Sequence, residues 1–369
     1  NIVGIEERRA RFESEVFPAI AALGVARGEL QLAYDFTTTS EASSTGWLLS
    51  MRDQLYAEIG EAGPDYSIDN VIQDPDGPEG TIATILEGTA MVPSFILPSV
   101  DGNPQLLRIG DDGNPRHEGF EAVPFRIQIP RAVLASGEAA AVLQYGHGFL
   151  GSDDEANNGW LRDWAARHGF LILSTNMQGM DVVAGVAWFT RLPMDATFAS
   201  DVAEAPLQGV VNHYALQRLV KGALRDDPNL QVDATLIYDP ERLYYHGNSQ
   251  GGTMGNLVVL PSLDVERAML GVPGVAIGFL LARASQWQEL VDIIGLGYPD
   301  PLDVATIMSL VQVGWDRTDA INFAPRYADV PRTPEKRVLL QVALEDSQVN
   351  NDVSRLLGRL SHARQIEPA

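Results

Sequence analysis

The sequence predicts an α/β protein built on a mostly parallel sheet covered by helices. Three observations carry that expectation. From residue 139 onward, short apolar runs alternate with helical stretches, the rhythm of parallel strands buried on both faces. A G-x-S-x-G pattern follows directly on one of those runs, where an open α/β sheet presents its chemistry. Ahead of this region, residues 66–130 alternate β-branched and aromatic runs with turn clusters, as antiparallel hairpins do.

In chain order, residues 5–33 read as helix, with Ile5, Phe12, Val16, Phe17, Ile20 and Leu23 on one face. The Thr/Ser-rich stretch 37–45 interrupts, and Gly46–Ile59 reads as a second helix. Residues 1–65 are thus an N-terminal helical segment, and residues 66–369 the main domain. Strands are expected at Tyr66–Gln73, Thr81–Glu87, Met91–Leu97 and Pro124–Ile129, separated by DPDGPEG, DGNP and GDDGNP turns. These acidic turns lack the full ligand spacing of a calcium-binding loop and read as hairpin turns. The alternating part then runs strand Ala139–Tyr145, helix Asn158–His168, strand Phe170–Thr175, helix Ala203–Leu224, strand Arg242–His246, strand Ala268–Val272 and strand Arg337–Leu344. A mostly helical insertion at 276–328, rich in Leu, Ile, Trp and Met, separates the last two strands.

Composition narrows the function. The 369 residues carry 26 Lys+Arg against 49 Asp+Glu, a net charge of −23. So acidic a surface repels phosphate backbones and anionic membranes, so no nucleic-acid partner is expected. With no cysteine, disulfides, thiolate metal sites and cysteine nucleophiles are excluded. The longest uncharged stretch, Ala268–Ala282, is interrupted by Pro273 and three glycines and is too short for a transmembrane segment. No H-x-H, H-E-x-x-H, dinucleotide fingerprint or P-loop occurs, so neither a metal nor a cofactor is expected. The Ser152–Glu155 run reads as a helix N-cap. No signal peptide is visible, and the chain starts at Asn1 rather than Met, so the natural N-terminus is expected to lie outside it.

The chemistry concentrates in Gly247-Asn248-Ser249-Gln250-Gly251, which follows an apolar strand and leads into a helix. As bare text the motif is weak; the strand–turn–helix context is what gives it weight. In such a turn the serine stands exposed at the sheet's C-terminal edge. The N–H of the next residue, Gln250, and the helix N-terminus favour negative charge beside it. Acyl transfer needs a second N–H donor from a glycine-rich loop after an early strand, and Gly146-His147-Gly148-Phe149-Leu150-Gly151 follows the strand ending at Tyr145. A carboxylate is then needed after a late strand, and Asp346 follows Arg337–Leu344.

GHGFLG, GNSQGG and the strand-EDSQV segment together resemble the α/β-hydrolase superfamily, most closely bacterial lipases and esterases with an HG-x-x-G oxyanion loop. The resemblance spans residues 125–355. It implies Ser249 as nucleophile, Asp346 as the triad acid, the N–H groups of Phe149 and Gln250 as the oxyanion hole, and the 276–328 insertion as a cap over the site. His147 and Gly148 would support the oxyanion loop, His147 through hydrogen bonds.

The base is harder to place. The fold order puts it after the acid, and only His362 follows Asp346. Asn350–Ser361 reads as a helix that would carry His362 roughly 16 Å from the acid loop, so His362 is only a weak candidate. His117, His168, His213 and His246 are expected in a turn, at the surface, or satisfied in packing. The histidine is therefore expected from a further segment or chain that completes the fold and covers its last strand edge, the C-terminal part of the fold not being included in this sequence.

The expected activity is hydrolysis of a small-molecule or lipid ester with an apolar acyl part, by an acyl-enzyme and without cofactor. Phe279, Leu280, Leu281, Trp287, Leu290, Ile293 and Ile294 of the insertion favour such an acyl chain, or simply form the cap's own core. Amide hydrolysis on the same fold, or a non-catalytic binding or assembly protein without its histidine, are the alternatives. An exported location is expected from the resemblance, the absence of cysteine and the acidic surface.

Overall fold

A computed structural model of the chain describes residues 5–98, 106–191, 198, 202–327 and 329–366. It divides into two units, Asn1–Glu41 and Ala42–Ala369. In the first, helix runs through Ile5–Arg11, a π-helical turn at Phe12–Val16 and Phe17–Ala22. It stops earlier than the spacing of apolar residues predicts. Gly24, at φ +83, takes the left-handed conformation that terminates helices, and its N–H bonds Ala21 O at 2.9 Å.

The second unit begins ahead of the Gly46–Ile59 helix, not at residue 66. Leu48, Met51 and Leu55 of that helix are fully buried in the main core, and the buried Arg52 donates to the carbonyls of Pro261 and Pro331. Burial of three apolar side chains is worth on the order of 5 kcal/mol, which explains why this helix packs with the sheet-bearing unit.

That unit is organised on an eight-stranded sheet: β1 (Tyr66–Gln73), β2 (Ile82–Pro93), β3 (Phe120–Pro130), β4 (Ala140–Gly146), β5 (Phe170–Ser174), β6 (Tyr238–Asn248), β7 (Arg267–Gly271) and β8 (Arg337–Gln341). Their order is β1-β2-β3-β5-β4-β6-β7-β8. The first three pairings in that order are antiparallel and the remaining four parallel. All seven residues of β4, at the centre, are buried. β2 is one strand where the sequence predicts two with a break near Gly88. Gly88 is no turn: a Cβ there would stand 2.6 Å from the Phe125 ring and 2.5 Å from Ser67 O, so glycine lets the neighbouring strands close over it. The D-G-N-P turn at 101–104 lies outside the described residues.

Helices cover both faces. The Ala205–Lys221 helix is buried from Ala205 to Val220. Between β7 and β8 the chain forms Ile277–Leu281, Gln288–Gly297 and Pro301–Trp315, the helical insertion. The side chains of Leu290, Ile293 and Ile294 lie outside the described residues. Among the described residues, no helix is long and apolar enough to cross a membrane, and no group of three or more His, Asp or Glu side chains is placed to hold a metal ion.

His213, expected at the surface or satisfied in packing, is fully buried in that central helix with neither ring nitrogen hydrogen-bonded. Its ring packs edge-on against Tyr245, centroids 6.2 Å apart. Burial pushes its pKa down to about 3, with a smaller push from His147. An unfolded chain protonates this imidazole near pH ~6.5, whereas the native one refuses the proton. The contribution of His213 to stability is therefore complete above about pH 6.5 and is lost as pH falls toward about 3, at up to ~1.4 kcal/mol per unit. His213→Phe keeps the ring contact without the titration. Its urea-unfolding free energy is expected to fall less than the wild type's between about pH 7 and pH 5. Equal slopes would show that His213 takes no part in acid lability.

Candidate active site

β4 and β6 lie side by side, with Gly146 opposite Gly247 in the register, so the two glycine-rich loops leave the sheet together at its C-terminal edge. The strand order reverses around β4, which opens a crevice at this point. Ser249 sits at the sharp end of β6 with φ 58 and ψ −114, a conformation that non-glycine residues rarely take and that costs about 1–3 kcal/mol. Its N–H bonds Gly271 O at 2.9 Å, which anchors the turn to β7. The turn is closed so tightly that a Cβ on Gly247 would meet Gly251 O at 2.1 Å, and one on Gly251 would meet Gly146 O at 2.1 Å. The buried helix Gln250–Val259 starts at the next residue. Its first N–H, that of Gln250, bonds no acceptor among the described residues, which leaves a donor at the positive end of a helix dipole beside the serine.

The loop after β4 is cross-braced. His147 is 1% exposed. Its Nε2 accepts the Met177 N–H at 2.8 Å, so the proton sits on Nδ1, which is 2.8 Å from Gly148 O. Burial lowers the pKa of His147 and keeps it neutral. The Gly148 N–H donates to Glu155 Oε2 at 2.6 Å. Leu150 N–H is shared between Met180 O at 3.1 Å and Gln250 Oε1 at 3.3 Å, so the Gln250 side chain ties the elbow to this loop.

Asp346 follows β8 in a loop that turns back to the cavity. Its Oδ1 accepts the N–H groups of Gln348 at 2.8 Å and Val349 at 3.0 Å; its Oδ2 accepts none among the described residues. Ser285 N–H donates to Ser347 O at 2.8 Å and fastens the loop to the insertion. Val349, three residues beyond the acid, lines the same cavity as Ser249, Gln250 and Phe149. That cavity holds about 40 Å³, and its wall is mostly apolar: Met180 and, from the insertion, Ile277, Leu280, Leu281, Trp287 and Trp315, with Thr253 and Gln286 as further polar members. The Phe149 and Trp287 rings lie 4.6 Å apart, centroid to centroid. Asp319, fully buried, accepts from Ile277 N at 2.7 Å, Ala276 N at 3.1 Å and Ile321 N at 2.9 Å, and so pins the start of the insertion.

None of the six histidines hydrogen-bonds Ser249 or Asp346 among the described residues. His246 is held at Nδ1 by Met269 O at 3.0 Å. His168 packs on Trp164 and His117 on Phe95. His362 is exposed at the C-terminal end of the Asn351–Leu360 helix, with φ 52. Sequence reasoning missed Glu155 and Tyr145 as neighbours of the loop after β4. Glu155 stood inside an acidic run that a helix N-cap explains equally well, and no spacing rule singles it out.

No protein-family model and no curated protein matches the sequence. Among solved structures, an acetyl xylan esterase from a Paenibacillus species superposes with a TM-score of 0.50 at 14% identity, over 89% of this chain and 86% of its own. Acetyl xylan esterase 1 from a Thermoanaerobacterium species gives a TM-score of 0.49 at 13% identity, over 89% of each chain. With the central parallel strands, the flanking helices and the strand–elbow–helix at Ser249, the likeness to the Paenibacillus structure establishes that the main unit has the α/β-hydrolase fold.

Proposed function

We propose that the chain is a serine carboxylic-ester hydrolase acting on esters of a short apolar acyl group. The observation that carries the reading is Ser249, held at positive φ on a cavity wall, with the Gln250 N–H beside it bonding no acceptor among the described residues. Ser249 Oγ adds to the ester carbonyl carbon while a histidine takes its proton. The tetrahedral oxyanion is received by the N–H groups of Gln250 and Phe149. The C–O bond to the alcohol then breaks, the histidine returns the proton to that oxygen, and water releases the acyl group by the same steps in reverse. Asp346 orients the base through its Oδ2, which accepts no hydrogen bond among the described residues.

The base itself is assigned to a histidine outside the six, brought by a further segment or chain that pairs with the open edge of β8. β8 stands last in the strand order and pairs only with β7 among the described residues, which suits a strand awaiting a neighbour. A second reading, a binding or assembly protein of this fold, is favoured by the same lack of a histidine at Ser249. A fluorophosphonate probe separates them. With that further segment or chain present, stoichiometric labelling mapped to Ser249 is expected, and no labelling would favour the binding protein. Turnover of p-nitrophenyl esters without turnover of the matching anilides would separate an esterase from an amidase.

The acyl length follows from the cavity. Space of about 40 Å³ is far below the ~150 Å³ that holds a benzene ring, so it suits an acetyl or propionyl group. Trp287, 3% exposed, lines it. Trp287→Ala is expected to raise kcat/KM for a hexanoyl ester relative to an acetyl ester by about tenfold or more. An unchanged ratio would mean that the acyl chain lies elsewhere.

A further inference from the structure

A carboxylate that takes no part in this reaction braces the oxyanion loop from behind. Glu155 lies in the short turn Asp153–Asn157. Its Oε2 accepts the Gly148 N–H at 2.6 Å, and its Oε1 accepts the hydroxyl of the buried Tyr145 at 2.9 Å. Hydrogen bonds of that length to an ionised acceptor belong to the strong class. The burial of Tyr145 and the neighbouring Glu155 charge push the phenol pKa up, so its proton stays in place as a donor. The carboxylate also occupies room that side chains would need: a Cβ on Gly148 or on Gly151 would stand 3.3 Å from Oε2.

The next peptide is fixed in turn. Gly148 O is 2.8 Å from His147 Nδ1 and accepts the Gly151 N–H at 3.1 Å. A trans peptide is planar, so a carbonyl pinned to one side turns its own N–H to the other, and that N–H belongs to Phe149. Glu155 sets the peptide before Gly148, and His147 with Gly151 sets the one after it. Two consecutive planes are thus locked just ahead of the residue that lines the cavity with Ser249.

We propose that Glu155 is a positioning residue for the oxyanion hole: its carboxylate clamps the Gly148 N–H and the Tyr145 hydroxyl, and so holds the Phe149 N–H toward the oxygen that becomes anionic on Ser249. The inference rests on the hydrolase reading above. Glu155 touches neither the serine nor the acyl group and acts only through the backbone it holds. A preorganised donor of this kind gains its effect in the transition state, where charge develops, and little in the ground state.

The test compares the wild type, Glu155→Gln and Glu155→Ala in the active protein, with Ser249→Ala as reference. Glu155→Ala is expected to lower kcat about 10²-fold with KM changed less than about threefold, since losing a well-placed donor costs that much. Glu155→Gln keeps the shape and an acceptor oxygen without the charge, and should fall between. Affinity for a trifluoromethyl ketone, which forms an oxyanion on the serine, should drop in parallel with kcat, a change that a merely structural role would not produce. Deuterium exchange at the Gly148 amide should accelerate in Glu155→Ala and less so in Glu155→Gln. If the wild type neither turns over esters nor reacts with a fluorophosphonate, the hydrolase reading fails and takes the inference with it. If the wild type is active while Glu155→Ala keeps full kcat, or keeps its Gly148 amide protected, the inference alone is overturned.

Discussion

Replacing Ser249 with alanine is expected to lower kcat on any ester substrate by at least about 10³-fold, the scale seen when a nucleophile of this type is lost. The fold should survive the change. The hydrogen bonds that hold this residue use its backbone: its N–H to Gly271 O, and its carbonyl from the Thr253 N–H at 2.9 Å. Alanine occupies φ 58 with the same Cβ as serine, so the strain at the elbow is unaltered. Circular dichroism and the urea midpoint should match the wild type, while fluorophosphonate labelling disappears. A variant that folds normally and keeps near-normal turnover would mean that the elbow presents its hydroxyl to no reaction, and the proposed function would fall.

Much of the sheet was legible because parallel strands buried on both faces read as continuous apolar runs. β4, β5 and β7 lie within a residue or two of where those runs place them. The elbow was legible for a different reason. Its glycines answer to backbone contacts of about 2 Å, which no other residue tolerates, so the motif carries its own steric signature. Gly88 misled for the converse reason: a glycine inside a strand looks like a turn unless the facing Phe125 ring is known.

Tertiary context decided the rest. The Gly46–Ile59 helix is assigned to the main unit by what Arg52 and Leu55 touch, more than two hundred residues away in the case of Pro261. His213 lies on a helix that is buried all round, because elements distant in sequence pack on every face of it. Glu155 is a special case. Its partner Gly148 is only seven residues away, yet the bond depends on the chain turning back under β4, and acidic residues at a turn satisfy an ordinary capping rule.

Asp346→Asn is expected to fold as the wild type does and to lose about 10⁴-fold in kcat. The structural half of this follows from the hydrogen bonds. The amide oxygen of asparagine can take the place of Oδ1 and accept the N–H groups of Gln348 and Val349, so the loop keeps its shape and Val349 its place on the cavity wall. The chemical half follows from what then stands at Oδ2, an NH2 group that donates where the imidazole also needs to donate. The base is driven into the wrong tautomer and cannot take the serine proton. Two nearby acids serve as controls. Asp319 accepts three backbone N–H groups at the start of the insertion, so its loss should appear as instability. Asp352 sits in the first turn of the Asn351–Leu360 helix, and its replacement by asparagine should cost only a fraction of a kcal/mol, about 0.3–1, from the helix dipole. Turnover and urea unfolding measured on all three variants decide the assignment. If Asp319→Asn or Asp352→Asn, still folded, loses as much kcat as Asp346→Asn, the acid has been assigned to the wrong loop.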